Sequence, residues 1–159
     1  MSRGVPTDLS WLSASIPAAE LQKIQAGNRE NAEQQKAFGI QGRNLVRLSK
    51  EGVSVAVGTD GNTPWAAHVE MEDMVAAGLT PAQVITAATK NGADYLRIAD
   101  LGTIEQNKSA DFIVLDANPL DDIRNTRRIA QVYLRGHEVN RQAMKNRWEA
   151  ACRAACRRI

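Results

Sequence analysis

The sequence predicts an α/β fold, and three features along the chain carry that prediction. A helical stretch ends at Gly52, and an apolar run, VSVAVGTD, follows at once over Val53–Asp60. Helix, glycine, strand and loop make one step of an α/β alternation. From Gly102 onward short apolar runs predict β-strands, and a basic amphipathic helix ends the chain. A complete (β/α)8 barrel needs roughly 200 to 250 residues, so a chain of 159 residues is too short for one.

Helices are predicted across most of the first hundred residues. Met1–Ile16 has no clear period and is interpreted as an irregular lead-in, whereas Pro17 suits a first helical turn and begins one long helix or two shorter ones. The next helix, over His68–Ala77, has three inward apolar residues: Val69, Met74 and Val75. A further helix starts at Thr80, because Gln83 completes a capping box, and it is expected to run to residue 90.

Strands and a terminal helix are predicted beyond Gly102. Phe112–Leu115 and Ile129–Leu134 are short apolar strands, and the Arg-Gly pair before His137 predicts a tight hairpin. The closing helix has an apolar stripe with one residue at every fourth position: Met144, Trp148, Cys152 and Cys156. This stripe favours a packing face over a membrane anchor. The two cysteines are interpreted as reduced apolar fillers, since a lone pair at this spacing is weak evidence for a disulfide or a metal site.

Composition and charge argue against several classes of function. The net charge of +2, from 20 Lys+Arg and 18 Asp+Glu, gives no overall basic field of the kind that nucleic-acid-binding proteins carry. No apolar run reaches the roughly 20 residues that span a bilayer, and the amino terminus lacks a leader pattern. We therefore expect a cytoplasmic protein in a reducing compartment, with neither a nucleic-acid partner nor a membrane partner.

Asp60 is the strongest candidate for chemistry. A strand buried on both faces would carry its carboxylate out of the carboxyl end, where α/β proteins place their active sites. There an aspartate can bind a divalent metal or accept a proton from an attacking water. The alternative is that Asp60-Gly61 forms an ordinary turn, and the residues alone leave both interpretations open.

Four blocks of sequence bear on this choice. They are GTDG at Gly58–Gly61, HVEMEDMVAAGLTPAQVITAATKNGADYL at His68–Leu96, GTIEQNKSADFIVLDANPLDDI at Gly102–Ile123, and RRIAQVYLRGHEV at Arg127–Val139. In this order they resemble the carboxyl-terminal part of the amidohydrolase superfamily, in particular its imidazolonepropionase-like and Xaa-Pro-dipeptidase-like branches. The resemblance covers roughly the last two-thirds of the chain.

The resemblance implies a partial (β/α)8 barrel and a hydrolytic chemistry. Family members hold one or two divalent metals, usually zinc, that activate a water for attack on an amide, cyclic amide or dipeptide bond of a small molecule. Residues 1–100 would then form the end of the barrel, with its last strand and flanking helices. Residues 101–140 would be strands of a composite β-sandwich, and residues 141–159 a basic amphipathic tail helix.

The resemblance also gives roles to individual residues. Asp60 matches the aspartate at the end of the eighth strand, so it is the expected catalytic residue and metal ligand. His68, Asn62 and Glu70 are the expected substrate-binding residues, and His68 could also support Asp60. The alternative for His68 is an ordinary polar residue in the first turn of a helix, and for Glu70 it is a charge that stabilises the helix dipole.

The chain also departs from the family pattern. It has two histidines, His68 and His137, and therefore lacks the His-x-His pair and the two later histidines that hold the metal in relatives. One aspartate does not make a zinc site, which typically needs three protein ligands. Asn107 stands where relatives usually have glycine, and asparagine tolerates a left-handed backbone.

Three hypotheses follow from the match and its gaps. In the first, the chain is a truncated amidohydrolase that is inactive alone and does not hold its metal stably. In the second, a complementing chain or another copy in a homo-oligomer supplies the missing strands, since an incomplete sheet exposes unpaired edges. In the third, the chain is a non-catalytic binding or assembly module that uses exposed strand edges or the tail helix.

Overall fold

The chain is a mixed α/β structure in a computed structural model that describes residues 3–60, 63 and 65–156, with side chains as far as residue 150. Its helices are α1 (Ala18–Gly27), α2 (Ala32–Lys50), α3 (Ala66–Ala77), α4 (Pro81–Ala88), α5 (Lys90–Tyr95) and α6 (Arg141–Cys156). Its strands are β1 (Phe112–Leu115), β2 (Ile129–Leu134) and β3 (His137–Glu138). Two short 3-10 helices cover Ser10–Ala14 and Ile123–Arg127.

The region after Pro17 forms two helices rather than one long one. α2 begins after Asn31, because the Asn31 side chain accepts a hydrogen bond from the backbone N–H of Gln34 and so caps the first turn. It ends at Lys50, and Gly52 follows with a φ of +79°, a backbone conformation that favours glycine. The predicted helix end at this glycine is therefore confirmed.

α3 ends and α4 begins at the residues that the sequence indicates, whereas α3 starts at Ala66, two residues before its predicted start. Gly78 follows α3 with a φ of 115°, in the left-handed region. α4 has a complete capping box: the Thr80 N–H donates to Gln83 Oε1 over 2.9 Å, and the Gln83 N–H donates to Thr80 Oγ1 over 3.3 Å. α4 ends at Ala88, slightly before its predicted end, and the separate helix α5 begins at Lys90.

Among the described residues, the strands form a three-stranded antiparallel sheet in the order β1-β2-β3. The two longer predicted strands are confirmed at their predicted bounds. Arg135 and Gly136 join β2 to β3 with φ values of 51° and 78°, as a type I′ hairpin turn requires. The rings of Phe112 and Tyr133 stack across β1 and β2 with their centroids 4.6 Å apart. Asn107 has a φ of 69°, so the expected left-handed backbone is confirmed there.

α3 contributes to two apolar clusters. The first joins α3 to α4 and to the second 3-10 helix through six buried residues: Met71, Met74, Leu79, Val84, Ala87 and Ile123. Val75 packs against this cluster, and Val69 packs against the second one, so the predicted inward residues of α3 face the core. The second cluster joins the lead-in to α1 through Leu9, Leu12 and Leu21. The lead-in is thus not irregular throughout, and one short turn with Leu12 inside it and Leu9 just before it is too brief to give a recognisable period.

The VSVAVGTD segment does not form the predicted strand with both faces buried. No strand pairing is found for it among the described residues, and Val53 is 50% exposed. Val55 and Val57 are half-buried against the first cluster, while Ser54, Ala56 and Gly58 are exposed, so one face of the segment is covered. A strand of a parallel sheet needs paired neighbours and cover on both faces. The described part of the chain provides cover on one face only.

The side chains of α6 do not pack as the apolar stripe predicts. Trp148 is 69% exposed, and Met144 is half-buried. Met144 and Trp148 line an open groove together with Ala130 and Val132 of β2, so this face of α6 lies toward the sheet without being covered by it. The side chains of Cys152 and Cys156 lie outside the described ones. Across the described residues, every helix is too short or too polar to serve as a membrane span.

Candidate active site

Asp60 is an exposed residue at the end of the VSVAVGTD segment. Two hydrogen bonds hold that segment on the helices. The Val57 N–H donates to a carbonyl oxygen in the last turn of α4 over 3.0 Å, and Asn91 Nδ2 of α5 donates to the Val55 carbonyl oxygen over 2.8 Å. The backbone that leads to Asp60 is therefore anchored shortly before the carboxylate. The predicted substrate-binding residue Asn62 lies outside the described residues.

His68 lies in the first turn of α3 and is half-buried. Its Nδ1 is 3.1 Å from Thr126 Oγ1 in the second 3-10 helix. The Trp11 ring packs edge-on against the imidazole, with the centroids 5.6 Å apart and the ring planes at 82°. Burial lowers the pKa of His68, and the nearby Arg127 guanidinium lowers it further. Both effects favour the neutral imidazole over the imidazolium.

Arg127 and Glu72 form an ion pair close to His68. Their side chains are 10% and 11% exposed. The Arg127 guanidinium also lies over the Trp11 ring, 4.5 Å from its centroid, in a cation–π contact. Sequence reasoning missed Trp11, Thr126 and Arg127 as neighbours of His68. The contacts of Thr126 with His68 and of Arg127 with Glu72 span 58 and 55 residues, so no local pattern reveals them.

Glu70 and Asp73 lie one turn apart on α3, and Asp73 is the more buried of the two. The Asp73 side chain is 2% exposed, with Oδ1 2.6 Å from Arg3 Nε. Burial raises the pKa of Asp73 to about 6, against the opposing charge of Arg3 and with a smaller contribution from the like charge of Glu70. The sequence signal for Asp73 is its place between Met71 and Met74 on the apolar side of the helix.

Among the described residues, no contact joins the site residues Asp60 and His68. His68 contacts Thr126 and Trp11 instead. Over residues 3–60, 63 and 65–150, no group of three or more His, Cys, Asp or Glu side chains is arranged to hold a metal. Zinc typically needs three protein ligands, so these residues do not fit a complete metal site and Asp60 offers a single ligand.

Comparison with known proteins gives a consistent result. The chain matches the model of the amidohydrolase family over residues 5–139. It is 36% identical over 86 residues to the imidazolonepropionase of Deinococcus deserti, covering 50% of this chain and 21% of that protein. It is 28% identical over 131 residues to the imidazolonepropionase of Brevibacillus brevis, covering 70% and 31%. It is 36% identical over 86 residues to the 5-methylthioadenosine/S-adenosylhomocysteine deaminase of Halalkalibacterium halodurans, covering 46% and 19%.

Solved structures are similar over most of the described fold. A Xaa-Pro dipeptidase with bound methionine in its active site has a TM-score of 0.59 at 30% identity, covering 76% of this chain and 31% of that chain. Molinate hydrolase has a TM-score of 0.56 at 28% identity, covering 86% and 32%. The chain thus spans about a fifth to a third of the length of these relatives. The family match extends over most of its own residues, and the chain belongs to the amidohydrolase family.

Proposed function

We propose that this chain forms the carboxyl-terminal part of a metal-dependent hydrolase that cleaves carbon–nitrogen bonds in small amide or dipeptide substrates. The observation that carries the proposal is the family match over residues 5–139, which includes Asp60 within the GTDG block. Relatives named as a deaminase and a dipeptidase support carbon–nitrogen chemistry. The family generally uses a divalent metal, and zinc is the metal that we propose here.

Asp60 is the residue to which we give the central role, as metal ligand or proton acceptor. Its exposed carboxylate follows a backbone segment that Asn91 holds in place, so it is both accessible and anchored. His68, Glu70 and Asn62 are the proposed substrate-binding residues. A neutral, half-buried imidazole suits that role, because one ring nitrogen donates a hydrogen bond while the other accepts one.

The VSVAVGTD segment is, in this proposal, the last strand of a barrel whose other strands lie outside this sequence. Val55 and Val57 pack against the helices, while Val53 is half-exposed. This pattern fits a strand whose paired neighbours lie outside this sequence. Residues 1–100 would complete the barrel, residues 101–140 would belong to the sandwich, and residues 141–159 would form the tail helix.

The same proposal makes the chain inactive by itself. With a single aspartate as candidate ligand, we expect weak metal binding and no hydrolysis until further histidines are supplied. They would come from a complementing polypeptide, or from further chain joined to this one.

Complementation tests the function. This chain is combined with a polypeptide that carries the preceding strands of an amidohydrolase barrel, including the His-x-His pair, and hydrolysis of dipeptide and cyclic amide substrates is followed with zinc. We expect hydrolysis by the pair and by neither part alone, with loss of activity in Asp60→Asn. Asp100→Asn, at another exposed aspartate, is the matched control and should keep activity. Hydrolysis by this chain alone, or unchanged activity in Asp60→Asn, would contradict the proposal.

A further inference from the structure

The hydrogen bond between Thr126 and His68 has a direction that the surrounding atoms determine. Thr126 is 6% exposed, and its hydroxyl donates to the carbonyl oxygen of Ile123 over 2.8 Å. A hydroxyl has one hydrogen, so only the lone pairs of Oγ1 remain for His68 Nδ1, 3.1 Å away. Nδ1 must therefore carry a hydrogen and act as the donor in this contact.

The other ring nitrogen of His68 has no hydrogen, because the imidazole is neutral. Burial lowers the pKa of His68, and the charge of Arg127 acts in the same direction. The nearby carboxylate of Glu72 is engaged in the ion pair with Arg127, so its charge is already balanced and does not favour an imidazolium. A neutral imidazole has a single N–H, and in His68 the Thr126 contact requires it on Nδ1.

We propose that Thr126 is a positioning residue that fixes His68 as the Nδ1–H tautomer and leaves Nε2 as a hydrogen-bond acceptor for an N–H or O–H group of the substrate. A free imidazole in water prefers the Nε2–H tautomer, so the protein imposes the opposite one here. The edge-on packing of Trp11 restricts rotation of the ring and keeps Nδ1 toward Thr126. The substrate contact rests on the proposed function, whereas the tautomer is a property of this chain alone.

Nitrogen-15 NMR of the imidazole rings measures the tautomer directly. The sequence has two histidines, so the His137→Gln variant assigns the signals, and the exposed His137 is an internal reference in the wild-type chain. At about pH 7.5, above the ordinary histidine pKa of about 6.5, we expect the hydrogen of the His68 ring on Nδ1 and not on Nε2. Thr126→Val keeps the side-chain shape but removes the hydroxyl, and should shift His68 to the Nε2–H form. Thr126→Ser keeps the hydroxyl and should retain the Nδ1–H form.

The outcomes separate the tautomer from the enzyme function. An Nε2–H tautomer for His68 in the wild-type chain would overturn the proposal, as would an unchanged Nδ1–H signal in a folded Thr126→Val chain. If circular dichroism shows that Thr126→Val is unfolded, the wild-type and Thr126→Ser spectra decide, and Nδ1–H in both supports the proposal. An Nδ1–H tautomer with no hydrolysis after complementation would support the positioning role of Thr126 and contradict the proposed function.

Discussion

The carboxylate of Asp73 lies against the guanidinium of Arg3 on the buried side of α3, with Oδ1 2.6 Å from Nε. The two atoms are close but do not meet hydrogen-bond geometry. The ion pair therefore offsets only part of the cost of burying the charge, and the pKa of Asp73 rises to about 6.

This raised pKa predicts that the native state loses stability as the pH rises. Between about pH 4 and pH 6 the unfolded chain releases the Asp73 proton before the folded chain does, so ionisation disfavours folding. A shift of about two pKa units corresponds to roughly 1 to 3 kcal/mol. Urea unfolding at a series of pH values measures the effect. The Asp73→Asn side chain cannot ionise, so this variant should not show the loss of stability between about pH 4 and pH 6 that Asp73 causes. A loss as large in Asp73→Asn as in the wild-type chain would contradict the prediction.

The Arg127–Glu72 pair predicts a large loss of stability when one partner is removed. Arg127→Met leaves the carboxylate of Glu72, 11% exposed, without its counter-charge and also removes the contact with Trp11. Breaking a buried pair in this way costs about 3 to 5 kcal/mol. Arg124→Ala is the matched control. The Arg124 side chain is 67% exposed in its pair with Asp122, so its removal should lower the free energy of unfolding by less than about 1 kcal/mol. Similar urea midpoints for the two variants would rule out a structural role for the buried pair.

The contact of α2 with α3 predicts different effects for alanine at two glycines of α2. A Cβ on Gly42 would lie 3.1 Å from Ala77 Cβ, whereas a Cβ on Gly39 meets only the mobile end of Arg43, 3.7 Å away. Alanine favours a helix over glycine by about 0.5 to 1 kcal/mol. We expect Gly39→Ala to gain this stability. In Gly42→Ala, crowding against Ala77 should cancel part or all of the gain. Thermal unfolding compares the two, and equal stabilisation would mean that the helices are not closely packed at Gly42.

The capping box of α4 predicts a measurable contribution from Thr80. Thr80→Ala removes the acceptor of the Gln83 N–H and should lower the free energy of unfolding by about 1 kcal/mol. Thr86, inside the same helix, bonds its hydroxyl back to the Ala82 carbonyl and provides no cap, so Thr86→Ala should be neutral or slightly stabilising. Chemical unfolding of both variants tests the difference, and a loss in Thr86→Ala as large as in Thr80→Ala would argue against capping as the cause.

Features with local causes are those that the sequence predicts well. The capping box at Thr80, the end of α3 at Ala77 and the Arg135-Gly136 turn are each determined by a few neighbouring residues, and the structure has them where they were predicted. The strand predicted from Val53 has no pairing partner among the described residues, and a strand of this kind depends on paired neighbours that no local pattern supplies.

The surroundings of the candidate site were less predictable for the same reason. Asp60 and His68 could be proposed from their motif and their resemblance to a family. The contact of His68 with Thr126 joins residues 58 positions apart, and the Arg127–Glu72 pair joins residues 55 positions apart. Such contacts follow from the packing of the lead-in, α3 and the second 3-10 helix, which periodicity and turn patterns do not encode.

Zinc stoichiometry, measured by equilibrium dialysis, tests most directly the claim that this chain contributes Asp60 to a metal site that it does not complete. We predict far less than one zinc per isolated chain. After complementation we predict at least one tightly bound zinc, with weakened binding in Asp60→Asn and unchanged binding in Asp100→Asn. One tightly bound zinc in the isolated chain, or full zinc binding by the complemented Asp60→Asn variant, would contradict the claim.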